Sequence, residues 1–68
     1  MLVRRDKTLT RLTGAKVLVP VDGETVRGTL AAVAPAWVTL TGCQAEDGTT
    51  IEGDLMVALP LPWVQVIR

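Results

Sequence analysis

Histidine, tyrosine and phenylalanine are absent from this 68-residue chain, and cysteine occurs once, at Cys43. A lone cysteine excludes an internal disulfide and, without histidine, supplies no Cys/His cluster for zinc. It has no imidazole to act as its base and no basic neighbour in sequence, so Cys43 reads as a small filler residue and not as a thiol nucleophile. Long apolar runs are missing too. None approaches the ~20 residues that cross a bilayer, so no membrane partner is expected. Arg4, Arg5 and Asp6 are followed by Lys7, Thr8 and Thr10 instead of an apolar stretch, so no secretory signal is expected. Phosphate-cradling glycine loops do not occur. Glu52 and Asp54 lie two apart and would share one strand face, as paired catalytic carboxylates can, but a solvated strand face has the same pattern. Asp47-Gly48 beside Glu46 reads as a turn and not as a calcium loop. The expectation is a protein that is not an enzyme, with no catalytic residue, cofactor or metal.

What is abundant is aliphatic side chain. Apolar residues make up 49% of the chain and charged ones 21%, which excludes a disordered polymer and describes one small folded domain over residues 1–68. A domain of this size buries only ~60% of the surface its unfolded chain exposes, leaving room for about 15 large side chains inside. Leu, Val, Ile, Met and Trp together number 25. Some of them must face outward, and large exposed apolar patches mark interfaces, so a homo-oligomer or a subunit docked on another protein is favoured over a monomer with an apolar surface. Charge is balanced overall, seven basic against seven acidic residues, but it is not evenly placed. Residues 1–16 hold Arg4, Arg5, Lys7, Arg11 and Lys16 against Asp6, a net +4. Residues 17–68 hold Arg27 and Arg68 against Asp22, Glu24, Glu46, Asp47, Glu52 and Asp54, a net −4. A basic arm of this kind can grip an acidic neighbouring subunit or phosphate; without interleaved aromatics the protein contact is favoured over nucleic acid.

The remaining pattern is of short strands between turn signals. A short helix is expected from Asp6 to about Thr13, with Leu9 and Leu12 on one face and Gly14 at its left-handed end. Residues 1–14 thus form a basic arm or short helix, and residues 16–67 the strands. Lys16–Val21 places Val17, Val19 and Val21 on one side, with Pro20 marking an edge or a bulge. Asp22-Gly23 is a tight reversal. Thr25–Val33 returns, with Gly28 where a Cβ would clash in a sharply bent strand. After Ala34-Pro35-Ala36, Trp37–Thr41 carries Val38 and Leu40 on one face and Trp37, Thr39 and Thr41 on the other. Gly42–Thr50 is polar enough for a long loop, and Ile51–Leu59 alternates as a strand. Leu59-Pro60-Leu61-Pro62 connects to a last strand, Trp63–Ile67, apolar on both faces and therefore expected to be covered on both. Five short strands at near-ten-residue spacing indicate an all-β fold, a small five-stranded antiparallel barrel.

Leu12-Thr13-Gly14-Ala15-Lys16-Val17-Leu18-Val19, then Asp22-Gly23, then Gly28-Thr29-Leu30, resembles the first motif of the Sm-like family of SH3-like barrels. The ending, with a short linker before Trp63-Val64-Gln65-Val66-Ile67, is similar to that family's last two strands. The resemblance implies the barrel fold. Its RNA-binding members hold a base with Asp and Asn between strands two and three and with Arg or Lys and Gly between strands four and five. Here those regions read Val33-Ala34-Pro35-Ala36-Trp37-Val38 and Leu59-Pro60-Leu61-Pro62, and neither keeps the polar set. Leu9 to Ile67 also resembles the layout of small accessory proteins of actinobacterial tailed phages, minor capsid and head-decoration subunits. That likeness implies a virion component assembled in the host cytoplasm, docked on a protein lattice such as the major capsid protein or on copies of itself. An Sm-like RNA-binding ring and a small adaptor for a host protein are the alternatives. Trp37 and Trp63 are the expected contact anchors, with Leu59, Leu61 and the edge at Pro20 as lesser ones. Arg4, Arg5, Lys7 and Arg11 form the expected basic contact.

Overall fold

A computed structural model describes residues 6–67. The chain runs α1 (Asp6–Arg11), β1 (Lys16–Val21), β2 (Glu24–Val33), β3 (Trp37–Gln44), β4 (Leu55–Ala58) and β5 (Gln65–Val66). All five strands are antiparallel members of one sheet in the order β4-β3-β2-β1-β5. Among the described residues the ladder does not close between β4 and β5, so the all-β expectation holds while the sheet itself stays open.

The β1–β2 hairpin forms where the sequence places it. Val21 pairs with Glu24 across Asp22 and Gly23, whose φ angles of 50° and 82° make the doubly left-handed turn that suits the twist of a two-residue hairpin. Strand parity then fixes Pro20. Val21–Glu24 closes the turn as a hydrogen-bonded pair, so odd-numbered β1 residues direct their main chain at β2 and even-numbered ones direct it the other way. Ile67 N donating to Lys16 O at 2.8 Å on the β5 side agrees. β5 reaches only Val17 and Leu18, so the Pro20 nitrogen faces open edge, where its missing N–H breaks no ladder.

β2 is bent twice against β3. The register shifts between Arg27 and Thr29 and again between Leu30 and Ala32, adding Ala31 to β2 and a residue at Gly42 (φ 59°) to β3. Gly28 sits at the closest crossing, where a Cβ would lie 2.8 Å from Cys43 Sγ and 3.3 Å from Thr41 O. The bends wrap the sheet around a core of Val17, Val19, Val26, Leu30, Val38, Leu40, Cys43 and Val57. Leu9 and Leu12 pack on that core, and Gly14 N donates to Leu30 O at 2.7 Å, tying the α1–β1 connection to β2.

Four expected segments differ. The helix ends at Arg11, and its continuation to Thr13 is two tighter turns, Leu12 N to Leu9 O and Thr13 N to Thr10 O. The loop expected over 42–50 is shorter than its composition suggests. β3 continues through Gln44, and Thr50 and Ile51 return beside Gln44 and Cys43, leaving only 45–49 as the turn. The strand expected over 51–59 shortens to Leu55–Ala58 because Gly53 has φ 79° and the chain re-enters pairing one register step away. The terminal strand shrinks to Gln65–Val66 and is open on one side, with Trp63 44% exposed and Gln65 exposed, instead of covered on both.

Candidate protein-contact surface

Directly opposed residues on antiparallel strands share a face, so the register identifies what the outer face of the sheet presents. Trp37 is opposite Ala58, Thr39 is opposite both Met56 and Ala32, and Thr41 is opposite Thr29, which is itself opposite Lys16. The partners of opposite parity, Leu30, Leu40, Leu55, Val38 and Val57, face the core. The rows of Trp37 and Thr39 therefore carry no charge, and the first charge across the sheet is Lys16, in the Thr41 row. Trp37 is 47% exposed and Met56 56% exposed on this face. The Pro35-Ala36 turn leads into β3 with its main chain fixed: Ala34 N donates to Trp37 O at 2.8 Å and Leu59 N donates to Ala36 O at 2.9 Å.

The other expected contact residues are dispersed. Trp63 is half exposed in the segment before β5, away from any ladder with β3 or β4. Leu59 and Leu61 are half-buried and pack on the core, and Pro20 is half-buried beside the hairpin turn. Arg11 is exposed at the end of α1. Arg4 and Arg5 lie outside the described residues, as does the side chain of Lys7. Met56 is the large exposed residue of this face that sequence reading passed over. Alternation put it on the solvent side with Glu52 and Asp54, and the signal available was that a large apolar side chain stood at a position that solvent alone would leave polar.

Polar features gather at the opposite end. Leu18, Thr25, Arg27, Gln44, Ala45, Glu46 and Gly48 line a depression of about 240 Å³, across which Thr25 N donates to Glu46 Oε1 at 3.3 Å. Asp47 Oδ1 accepts from Thr49 N at 2.9 Å, and that bond holds the exposed carboxyl below its ordinary range. Cys43 is buried in the core, and burial, with the charge of Asp54 adding to it, pushes its thiol up. A thiol held protonated behind the sheet is packing material. Among the described residues no three His, Cys, Asp or Glu side chains come together to hold a metal, and no helix is long and apolar enough to cross a membrane. No protein-family model and no curated protein matches this chain.

Proposed function

We propose that this chain is a non-catalytic assembly subunit that docks on a larger protein lattice, or on copies of itself, through the outer face of β3 and β4. The kind of particle follows from the likeness in sequence layout: a minor capsid or head-decoration subunit of a phage virion, made in the host cytoplasm. In this reading the five strands are those of a small Sm-like barrel whose seam falls between β4 and β5. The observation that carries it is the uncharged face bearing Trp37 and Met56, 47% and 56% exposed, on a domain of only 68 residues. Aromatic and methionine side chains concentrate in interface centres, where charge is depleted. Nucleic acid would need cations beside the indole, and the neighbours of Trp37 on this face are Ala58, Thr39 and Met56.

Gradient sedimentation of a lysate of the cells that make the protein tests this. The chain is expected with high-mass particles, insensitive to ribonuclease and to added salt, and Trp37→Ala is expected to move it to the top of the gradient without lowering its melting temperature by more than a few degrees. A chain that stays at the top as a monomer overturns the proposal. A ribonuclease-sensitive particle replaces it with the RNA-binding ring.

A further inference from the structure

The open edge of β4 is its own complement, and we infer that it pairs with the β4 of a second copy across a two-fold axis. The inference rests on the assembly reading above, and it names one partner and one register. Trp37 O accepts from Ala34 N on the β2 side, so the even-numbered residues of β3 direct their main chain toward β4. The Leu59 N to Ala36 O bond on the β4 side gives the same parity: Leu55, Val57 and Leu59 bond toward β3, opposite Leu40, Val38 and Ala36. Met56 and Ala58 therefore turn their N–H and C=O groups outward, to an edge that no described strand covers.

Those two residues flank Val57 symmetrically. If Val57 lies opposite Val57 of a second copy, Met56 faces Ala58 of that copy and Ala58 faces its Met56. All four outward main-chain groups of each chain then find partners, in two hydrogen-bonded pairs that each join a large side chain to a small one. Beyond these pairs Asp54 and Pro60 lie outside β4, and the absent proline N–H ends the ladder. Natural edge strands are blunted by shortness, charge, proline or bulges; Leu55–Ala58 is short, but it carries no charge, proline or bulge within it. The formal net charge is zero, so no long-range repulsion opposes two copies. A four-residue edge buries less than the roughly 1,000 Å² of a long-lived interface, so the pair is reversible.

Light scattering and amide exchange by NMR, from about 10 µM to 1 mM protein, test the pairing. A dimer is expected to grow in with concentration while exchange at Met56 and Ala58 slows by at least about tenfold. Ala58→Pro removes only an outward N–H and is expected to weaken the dimer at least about tenfold while the monomer's far-ultraviolet spectrum is kept. Met56→Lys, which charges the edge without touching the β3 ladder, is expected to do the same and stands in if the proline variant misfolds. A monomer at every concentration, with both amides exchanging freely, overturns the inference. So does a dimer that survives both substitutions but is lost in Trp37→Ala, a result that leaves the assembly reading standing.

Discussion

Replacing Gly28 by alanine places one methyl group where β2 and β3 leave no room for it. The new Cβ would stand 2.8 Å from Cys43 Sγ, 3.3 Å from Thr41 O and 3.4 Å from Leu40 Cβ. The first distance is closer than real Cβ contacts come, and the second is to main chain in a ladder, which gives way little. Cys43 is fully buried among Val and Leu, so its sulfur has no open side to retreat to. Overpacking of this kind costs about 1–3 kcal/mol, and the register shift beside Gly28 puts this site toward the upper half, about 2–3 kcal/mol. For a domain of this size that is a fall in melting temperature of roughly 8–24 °C. The sulfur is the cause, so removing it should relieve the clash. Cys43→Ala alone costs about 1 kcal/mol for the cavity it leaves, and Gly28→Ala made in that background is expected to cost at least about 1 kcal/mol less than in the wild type, a coupling well beyond the ~0.5 kcal/mol within which independent sites add. Urea unfolding followed by far-ultraviolet circular dichroism measures all four corners of the cycle. Additive costs, or a Gly28→Ala protein as stable as wild type, would refute the claim that β2 crosses β3 at this distance.

Other substitutions test separate steps. Gly23→Ala is expected to cost about 1 kcal/mol because φ is 82°, although nothing lies within 4 Å of the added methyl; Gly23→Asn should recover most of that loss, and equal melting temperatures for the two would exclude a backbone origin. Cys43 is expected to react with iodoacetamide roughly a hundredfold more slowly in the native protein than in urea, since its thiol is reached only by opening the core. Its raised pKa also has a sign. The folded state holds the proton more tightly than the unfolded state, so this contribution is complete below the ordinary thiol pKa and is lost as pH rises above it. Cys43→Ala should accordingly flatten the alkaline end of the stability profile, and an unchanged slope would place the thiol in contact with solvent.

How far the sequence discloses this fold depends on whether the signal is local. β1 is legible to the residue because three valines alternate and stop at Asp22-Gly23, a turn whose backbone those two residue types dictate. Gly28 is legible because a glycine inside an apolar strand has few other reasons to be there. β3 beyond Thr41 is not. Gly42-Cys43-Gln44 has the composition of a loop, and it becomes strand only because the bulge at Gly42 turns Cys43 onto Gly28 and because Thr50 and Ile51 return to pair there, which are non-local facts. The exposure of Trp37 is half legible: alternation assigns it to the face opposite Val38, but only the register shows that its neighbours there are uncharged.

Gly53 is where fold and proposed function meet. Alternation across 51–59 describes one nine-residue strand whose outer positions would be Glu52, Asp54, Met56 and Ala58, an edge protected by two carboxylates. The left-handed backbone at Gly53 lifts Glu52 and Asp54 out of the ladder and leaves only Met56 and Ala58 facing outward within β4. A residue with a Cβ at position 53 would meet no steric obstacle, since nothing lies within 4 Å, yet would carry the cost of positive φ, about 1–2 kcal/mol. Gly53→Val, which favours extended backbone, is therefore expected to do more than lower stability. It should draw residues 52–54 toward the strand, set carboxylates along the β4 edge and weaken self-association by more than its effect on melting accounts for. Light scattering at matched folded fraction measures this. Association that changes only in step with the folded population would mean that the charge-free edge is incidental to how copies meet.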